Sequence, residues 1–322
     1  MKVYRPRKKI FWIALIASGF WFHPISAAAI EFGRPTLSGS VEHISSSDVD
    51  EANPQAEVSV TSTIVGMALP TNLTENSDLE VKFSGGLYYF DWSDTERLKF
   101  SNGEEPWGDL YSAEFGLAYV YKWNKKWASF LGSGIGAGWE KDTDDIYSYR
   151  GFLGTNYSWG QRLNWKASLG VGFGRGLEET SGGFFRGPYG TTLGPFGTIS
   201  WNEEQRKLFK PGWSFYFKIP TDVEIAYVFN ERWAVHYNWG DFGAIFRLAD
   251  DNDVSPEGLL AASFTKMGLA VDFRPIETLT LSLAFSKYFH KKFDIQDDDG
   301  NSLQTIEVHD SFGVRFSVNW AF

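Results

Sequence analysis

From Tyr111 onward every second residue is apolar. Tyr111, Ala113, Phe115, Leu117, Tyr119, Tyr121 and Trp123 share one face of an extended chain, while Ser112, Glu114, Gly116 and Lys122 share the other. Side chains of a β-strand point to opposite faces in turn, so this period of two predicts a strand with one greasy side. The pattern returns with Trp127, Leu131, Ile135, Ala137 and Trp139 against Gly132, Gly134, Gly136, Gly138 and Glu140. It returns again with Leu163, Trp165, Ala167, Leu169, Val171 and Phe173 against Asn164, Lys166, Ser168, Gly170, Gly172 and Gly174, and with Leu279, Leu281, Leu283 and Phe285 against Thr278, Thr280 and Ser282. Segments of this kind lie near 36–46, 56–68, 78–91, 110–123, 127–140, 146–159, 163–175, 192–202, 212–219, 223–229, 232–248, 262–273, 277–290 and 305–322, which makes fourteen strands. Twelve is the alternative, because the first segment and the 212–229 pair are weak and Pro220-Thr221-Asp222 is a short link.

The connections alternate in character. Short polar links are bracketed by rings, as in Trp123-Asn-Lys-Lys-Trp127, Trp159 to Trp165, Trp201 to Trp213 and Phe229-Asn-Glu-Arg-Trp233. Rings beside every second turn are what an aromatic girdle at one membrane interface produces. The other links are longer and acidic: 92–109 carries Asp94, Glu96, Glu104, Glu105 and Asp109; 141–145 carries Asp142, Asp144 and Asp145; 249–260 carries Asp250, Asp251, Asp253 and Glu257; 291–304 carries Asp294, Asp297, Asp298 and Asp299. Short turns belong to the periplasmic end of an outer-membrane barrel and long loops to the outside. The expected fold is therefore all-β, a transmembrane antiparallel up-and-down barrel with both termini in the periplasm.

Composition agrees with that reading. The chain of 322 residues has 14 Trp, 14 Tyr, 28 Phe and 33 Gly, a mixture suited to strands and tight bends. Its mean hydropathy of −0.26 looks soluble, but only alternate residues of a membrane barrel touch lipid. Lys2, Arg5, Arg7, Lys8 and Lys9, then an apolar run from Ile10 to Phe22 and small residues to Ala29, predict a cleaved secretory signal at 1–29 and one barrel domain at 30–322. Its removal would take the formal charge from −10 to about −15, which argues against nucleic acid as a partner. There is no cysteine, so disulfides and thiolate metal sites are excluded.

In the last strand Phe312, Val314, Phe316, Val318, Trp320 and Phe322 face one way, and Gly313, Arg315, Ser317 and Asn319 the other. The outer edge of the bilayer is expected near Phe312, since Asp310 beyond it would be costly in lipid. A final strand of alternating aromatics closing on Phe resembles the assembly signal of bacterial outer-membrane barrels. That resemblance implies Gram-negative outer-membrane localisation, outer-membrane lipid as surroundings and the barrel-assembly machinery as a partner. Trp201, Pro211-Gly-Trp213, Ile219-Pro220, Tyr227 and Phe229-Asn-Glu-Arg-Trp233 look like uncharacterised outer-membrane barrel families of unknown function, which implies no activity.

Candidate chemistry is sparse. Gly132-Ser-Gly134-Ile-Gly136-Ala-Gly138 and Gly170-Val-Gly172-Phe-Gly174 superficially match phosphate-binding loops, but such a loop needs a helix after it and here the strand continues. Inward glycines that let strands coil, or that clear space for a solute, are the alternatives. Glu307, His309 and Ser311, expected on the inward face of the last strand, resemble the catalytic arrangement of outer-membrane lipid A deacylases. Ordinary polar residues of a barrel interior explain them as well. His236, inward beside Asn238, reads as a hydrogen-bonded interior residue. Asp297-Asp298-Asp299-Gly300-Asn301 lacks the spacing of an EF-hand, with Ile295 and Ile306 at its first and twelfth positions, so loose divalent-cation bridging at acidic loops is the most it offers. No cofactor and no metal centre are expected.

The predicted interior mixes Glu80, Lys82, Glu114, Lys122, Glu140, Arg150, Lys166, His236, Lys266, Asp272 and Arg315. Opposed charges on a polar wall suit a water-filled pore or a salt-bridged, closed interior. A passive channel or transporter for small solutes, favouring cations through its acidic mouth, is the leading expectation. An outer-membrane lipid hydrolase and a closed structural or adhesive barrel are the alternatives.

Overall fold

Each alternating segment pairs with its neighbour in sequence, and the last pairs with the first. In the computed structural model, which describes residues 34–49, 56–98, 103–141, 148–160, 164–175, 185–186, 192–219, 222–297 and 302–322, the strands are β1 (Thr36–Asp48), β2 (Glu57–Thr74), β3 (Ser77–Ser93), β4 (Leu110–Lys122), β5 (Trp127–Trp139), β6 (Ser148–Trp159), β7 (Trp165–Arg175), β8 (Phe185–Arg186), β9 (Thr192–Trp201), β10 (Gly212–Ile219), β11 (Asp222–Asn230), β12 (Trp233–Arg247), β13 (Leu259–Ile276), β14 (Leu279–Gln296), β15 (Ser302–Val308) and β16 (Ser311–Ala321), with helix α1 (Glu203–Lys207) between β9 and β10. All sixteen strands belong to one sheet, in which β15 is paired to β14 and the two-residue β8 to the edge of β9. The remaining fourteen close into an antiparallel barrel through rungs from Thr36↔Ala321 to Ile44↔Gly313. The signal segment 1–29 and the acidic runs 142–145 and 298–301 lie outside the described residues.

The faces sort as the alternation demands. Leu153, Leu169, Leu269 and Phe312 are between 60 and 68 % exposed on the outside, among a band of Leu, Val, Ile and Phe. Apolar surface of that extent needs lipid rather than water against it, so the barrel spans a membrane. Along one rim a belt of rings runs Trp127, Tyr157, Trp159, Trp165, Trp201, with centroids 4.6 to 6.1 Å apart. These rings border the short turns, and Asn124 and Asn230 each fold their own turn by accepting two backbone N–H groups.

One rung runs obliquely round the wall and sets heights. It passes Lys122, Ala128, Asn156, Ser168, Thr198, Lys218, Asp222, Gly240, Lys266, Tyr288 and Ser311. Lys122 ends β4 beside the Trp123–Trp127 turn and Ser311 begins β16 beside Phe312, so ten steps climb from the short-turn rim to the opposite rim of the apolar band. Strand tilt in a closed barrel requires such a climb.

Inward glycines are seats for rings. A Cβ on Gly132 would lie 2.2 Å from Cζ of Phe152, one on Gly170 2.4 Å from Cζ of Phe196, and one on Gly154 2.4 Å from Cζ of Phe130 and 2.6 Å from the Leu169 carbonyl oxygen. These three positions therefore clear no space for a solute. At Gly154 the obstacle is backbone, which cannot move aside, so Gly154→Ala is expected to cost ~1–3 kcal/mol in urea unfolding from vesicles. Gly39→Ala, whose Cβ would meet only Val65 Cγ1 at 3.6 Å and Ile64 O at 3.8 Å, should stay within about 0.5 kcal/mol. Equal costs at the two sites would contradict this account.

Candidate functional site: the barrel interior

The interior is built in three tiers. At the short-turn end the 202–211 link is more than a turn. Asn202, in the left-handed region at φ 55°, starts α1, and the helix is tied to the inner wall. Glu204 accepts from Lys166 at 3.0 Å, and Arg206 pairs with Glu224 and lies 4.0 Å from Asp272. Asp272 in turn binds His236 Nδ1 at 3.1 Å and accepts from Ser282 at 2.6 Å. Phe209 packs on inward Val228 and Ala234, and the Arg274 guanidinium lies 5.1 Å from its ring centroid while donating to the Leu208 carbonyl. The link is thus held against β7, β11 and β13.

The middle tier is ionic, with an aromatic cluster beside it. Glu42, which sequence reading left unassigned, accepts from Lys266 at 2.5 Å and from the Tyr288 hydroxyl, and it sits directly opposite Arg315 on the β1–β16 ladder. Glu114 and Arg150 form an ion pair across β5, meeting above Gly134, where a Cβ would lie 3.1 Å from Glu114 Oε1 and 3.4 Å from Arg150 Nε. Glycine is what lets that pair close over the strand. Below this tier, towards the short-turn end, Glu80 pairs with Lys82 at 2.7 Å, and Lys122 with Asp78 at 2.7 Å. Next to the Glu114–Arg150 pair, on β4, β5, β6 and β9, Val120, Ala128, Phe130, Phe152 and Phe196 cluster.

The outer tier is apolar. Val58, Phe90, Trp92, Phe246, Leu260, Phe293, Ile295, Ile306 and Val308 converge with the loop residues Val49, Leu98, Trp107 and Leu248 into one buried core. Trp107 is 1 % exposed and meets Trp92, Phe293 and Phe90 edge-on at centroid distances of 4.9, 5.2 and 5.7 Å. Glu140 locks this seal from the end of β5. Its carboxylate accepts from Gly108 N at 2.7 Å, Ala249 N at 2.9 Å and Asn252 Nδ2 at 3.2 Å, and its own N–H donates to the Arg247 carbonyl across the barrel. That last bond joins β5 to β12 in parallel, although β6, β7, β9, β10 and β11 stand between them in the wall.

The sequence carries a signal for this seal. In β3 the apolar residues sit at odd positions as far as Tyr89, then at the even positions Phe90 and Trp92 around Asp91. In β14 a kink at His290, φ 52°, turns Phe293 and Ile295 inward after Leu283 and Phe285 pointed out. A change of apolar phase inside one strand marks where lipid ends and a water-excluding interior begins.

The expected trio on the last strand is not brought together. Glu307 pairs with Lys292 at 2.6 Å, His309 lies 3.8 Å from Asp48, and both are more than half exposed. Ser311 is 3 % exposed and accepts from Lys291 at 2.8 Å. The interruption at 309–310, between β15 and β16, reverses the phase, so the three do not share a face. The hydrogen bond from Lys292 also holds the Glu307 carboxyl below the ordinary carboxylate range, the wrong direction for proton exchange near neutrality. Among the described residues no group of acidic or histidine side chains is arranged to hold a metal ion.

No family model matches the chain, and no curated protein matches it. Among solved structures it is similar to an outer-membrane channel from Pseudomonas putida F1 at 11 % identity and TM-score 0.44, covering 90 % of this chain and 96 % of that one. A mutant of the TodX monoaromatic hydrocarbon channel aligns at 12 % identity and TM-score 0.39, covering 92 % of each chain. OprB of Pseudomonas putida aligns at 8 % identity and TM-score 0.36, covering 90 % and 93 %. The barrel assignment rests on this chain's own rungs and faces.

Proposed function

We propose that this chain is an outer-membrane protein through whose lumen small solutes pass down their gradient. The observation that carries the reading is the middle tier. A barrel meant only as a rigid wall gains nothing from placing Glu42, Lys266, Arg315, Glu114 and Arg150 on its inner wall within the apolar band, where desolvating charges is expensive. A polar, charge-balanced wall beside water is what a conducting interior needs. Glu80, Lys82, Lys122, Lys166, His236 and Asp272 extend that wall towards the short-turn end, and Glu140 closes it above. In this reading the protein is exported by the signal at 1–29, inserted by the barrel-assembly machinery, and attracts cations with its acidic outer loops, which also bridge loosely to lipid phosphates through divalent ions.

The test is conductance of the refolded barrel in a planar bilayer, with heat-modifiability on a gel to establish folding. Discrete cation-selective steps are expected, and a reversal potential showing anion preference would contradict the role given to the acidic loops. The apolar seal favours a second reading, a closed barrel whose loops carry the activity. Sustained silence from folded protein, in the wild type and after the seal is loosened, would establish it in place of the channel.

A further inference from the structure

The other links at the short-turn end are two to five residues long, as hairpin loops generally are, but the one between β9 and β10 has ten. Those residues do not hang clear of the barrel. Lys166, Glu224 and Asp272, which face Glu204 and Arg206, all stand at inward positions of the wall, so α1 lies inside it. Inward Ser214 and Tyr216 on β10, against which α1 packs, are buried, and so is Ser200 beside them on β9.

The link has one shape. Asn202 and Phe209 bracket α1 in the left-handed region, at φ 55° and 54°, and Phe209 carries a buried ring there. A residue other than glycine keeps that conformation only where its surroundings hold it. Backbone bonds from Leu208 N to Glu204 O at 3.1 Å and from Lys210 N to Gln205 O at 2.8 Å close the turns between those two residues.

The moorings show which part of the mouth is covered. Lys166 on β7 and Asp272 on β13 are five strand steps apart in a wall of fourteen, so the link occupies the β9–β12 side and leaves the rest. Exposure follows the same division. Ser200, next to last in β9, is buried, whereas Asn319, at a similar distance from the end of β16, is exposed. Asn319 shares its rung with Ser38 on β1 and Thr280 on β14, and Ser317, Ser38, Ser40 and Thr280 around it are half-buried. These inward positions carry hydroxyls and an amide and no apolar side chain, a lining suited to water and hydrophilic solutes.

We propose that the 202–211 link is a fixed strap that closes the β9–β12 side of the short-turn mouth, and that hydrophilic solutes pass through the slot between it and the β14–β16–β1 wall, whose width sets the largest solute admitted. This deepens the channel reading and rests on it, since a strap limits solute size only in a barrel that conducts.

The chain has no cysteine, so single thiols report cleanly. The refolded full barrel carrying Asn319→Cys or Ser200→Cys is exposed to a water-soluble, membrane-impermeant maleimide. The strap predicts labelling of Asn319→Cys at least about tenfold faster than of Ser200→Cys, since thiol reaction follows access, and a stepwise fall in current as the label enters the slot. Arg206→Gln with Glu224→Gln unties the strap from β11 without leaving either charge of that pair alone. It is expected to raise unit conductance about twofold and to admit larger polyethylene glycols, because the narrowest section governs passage. Lys166→Met with Glu204→Gln, at the other mooring, serves if that barrel does not fold. Equal labelling at the two positions, or unit conductance unchanged by untying, in a barrel that conducts would overturn the strap and leave the channel. A folded barrel that shows the labelling contrast yet passes no current, in the wild type, in Trp107→Ala and in the untied variant alike, would overturn the channel reading and, with it, the size limit.

Discussion

Trp107→Ala is expected to do two things at once: lower the stability of the barrel by ~3–5 kcal/mol and raise its conductance. The indole is 1 % exposed and touches Phe90, Trp92 and Phe293, so its loss leaves a ring-sized hole at the centre of the outer seal. Its N–H finds no acceptor among the described residues, so the seat is held by apolar contact alone, and nothing polar offsets the loss. The upper strands around it reach beyond Phe312, the last exposed apolar residue at that end of β16, where water enters a loosened core readily. Urea unfolding of the refolded protein reads the first effect, and the open fraction in a planar bilayer reads the second. Unchanged unfolding with unchanged current would mean that the seal neither stabilises nor obstructs. Glu140→Gln keeps the shape of the latch but turns one acceptor oxygen into an NH2 donor, losing either the bond from Gly108 or those from Ala249 and Asn252, so it should raise the open fraction at a smaller cost in stability.

Glu42→Gln should also cost ~3–5 kcal/mol, for an electrostatic reason. Glu42 is the carboxylate that faces Lys266, Arg315 and the Tyr288 hydroxyl together, and the Lys266 side chain is 3 % exposed. Removing the anion leaves two cations side by side with little water to screen them. The same change makes the inner wall more positive, so cation preference should fall in the reversal potential. Glu42→Gln combined with Lys266→Met should recover much of the lost stability, because the second change removes the stranded charge. Additive losses in that cycle would show that the two side chains act independently, against the geometry.

The wall was legible residue by residue. Tyr111 to Trp123 and Phe312 to Phe322 announce strand, face and lipid boundary through period two alone, and the fourteen-strand reading stands with boundaries shifted by a few residues. Even the weak member of that reading, the short pair 212–229, is the low hairpin of the wall. The interior was legible in type but not in pairing. Glu114 and Arg150 were both read as inward, yet that they meet over Gly134 depends on three strands lying in one register. Glu307, His309 and Ser311 were read as one face because a break in phase at 309–310 has no sign in the spacing.

By itself, then, the sequence determined this protein's class, fourteen strands ahead of twelve, and which side of most strands meets lipid, because each is a local consequence of alternating side chains along an extended backbone. The apolar outer seal, the Glu140 lock between β5 and β12, and the ion pairs around Glu42 and Asp272 were decided only by the tertiary structure. Each joins or separates residues scores of positions apart, through the stagger and tilt of a closed sheet, and no local pattern encodes that closure.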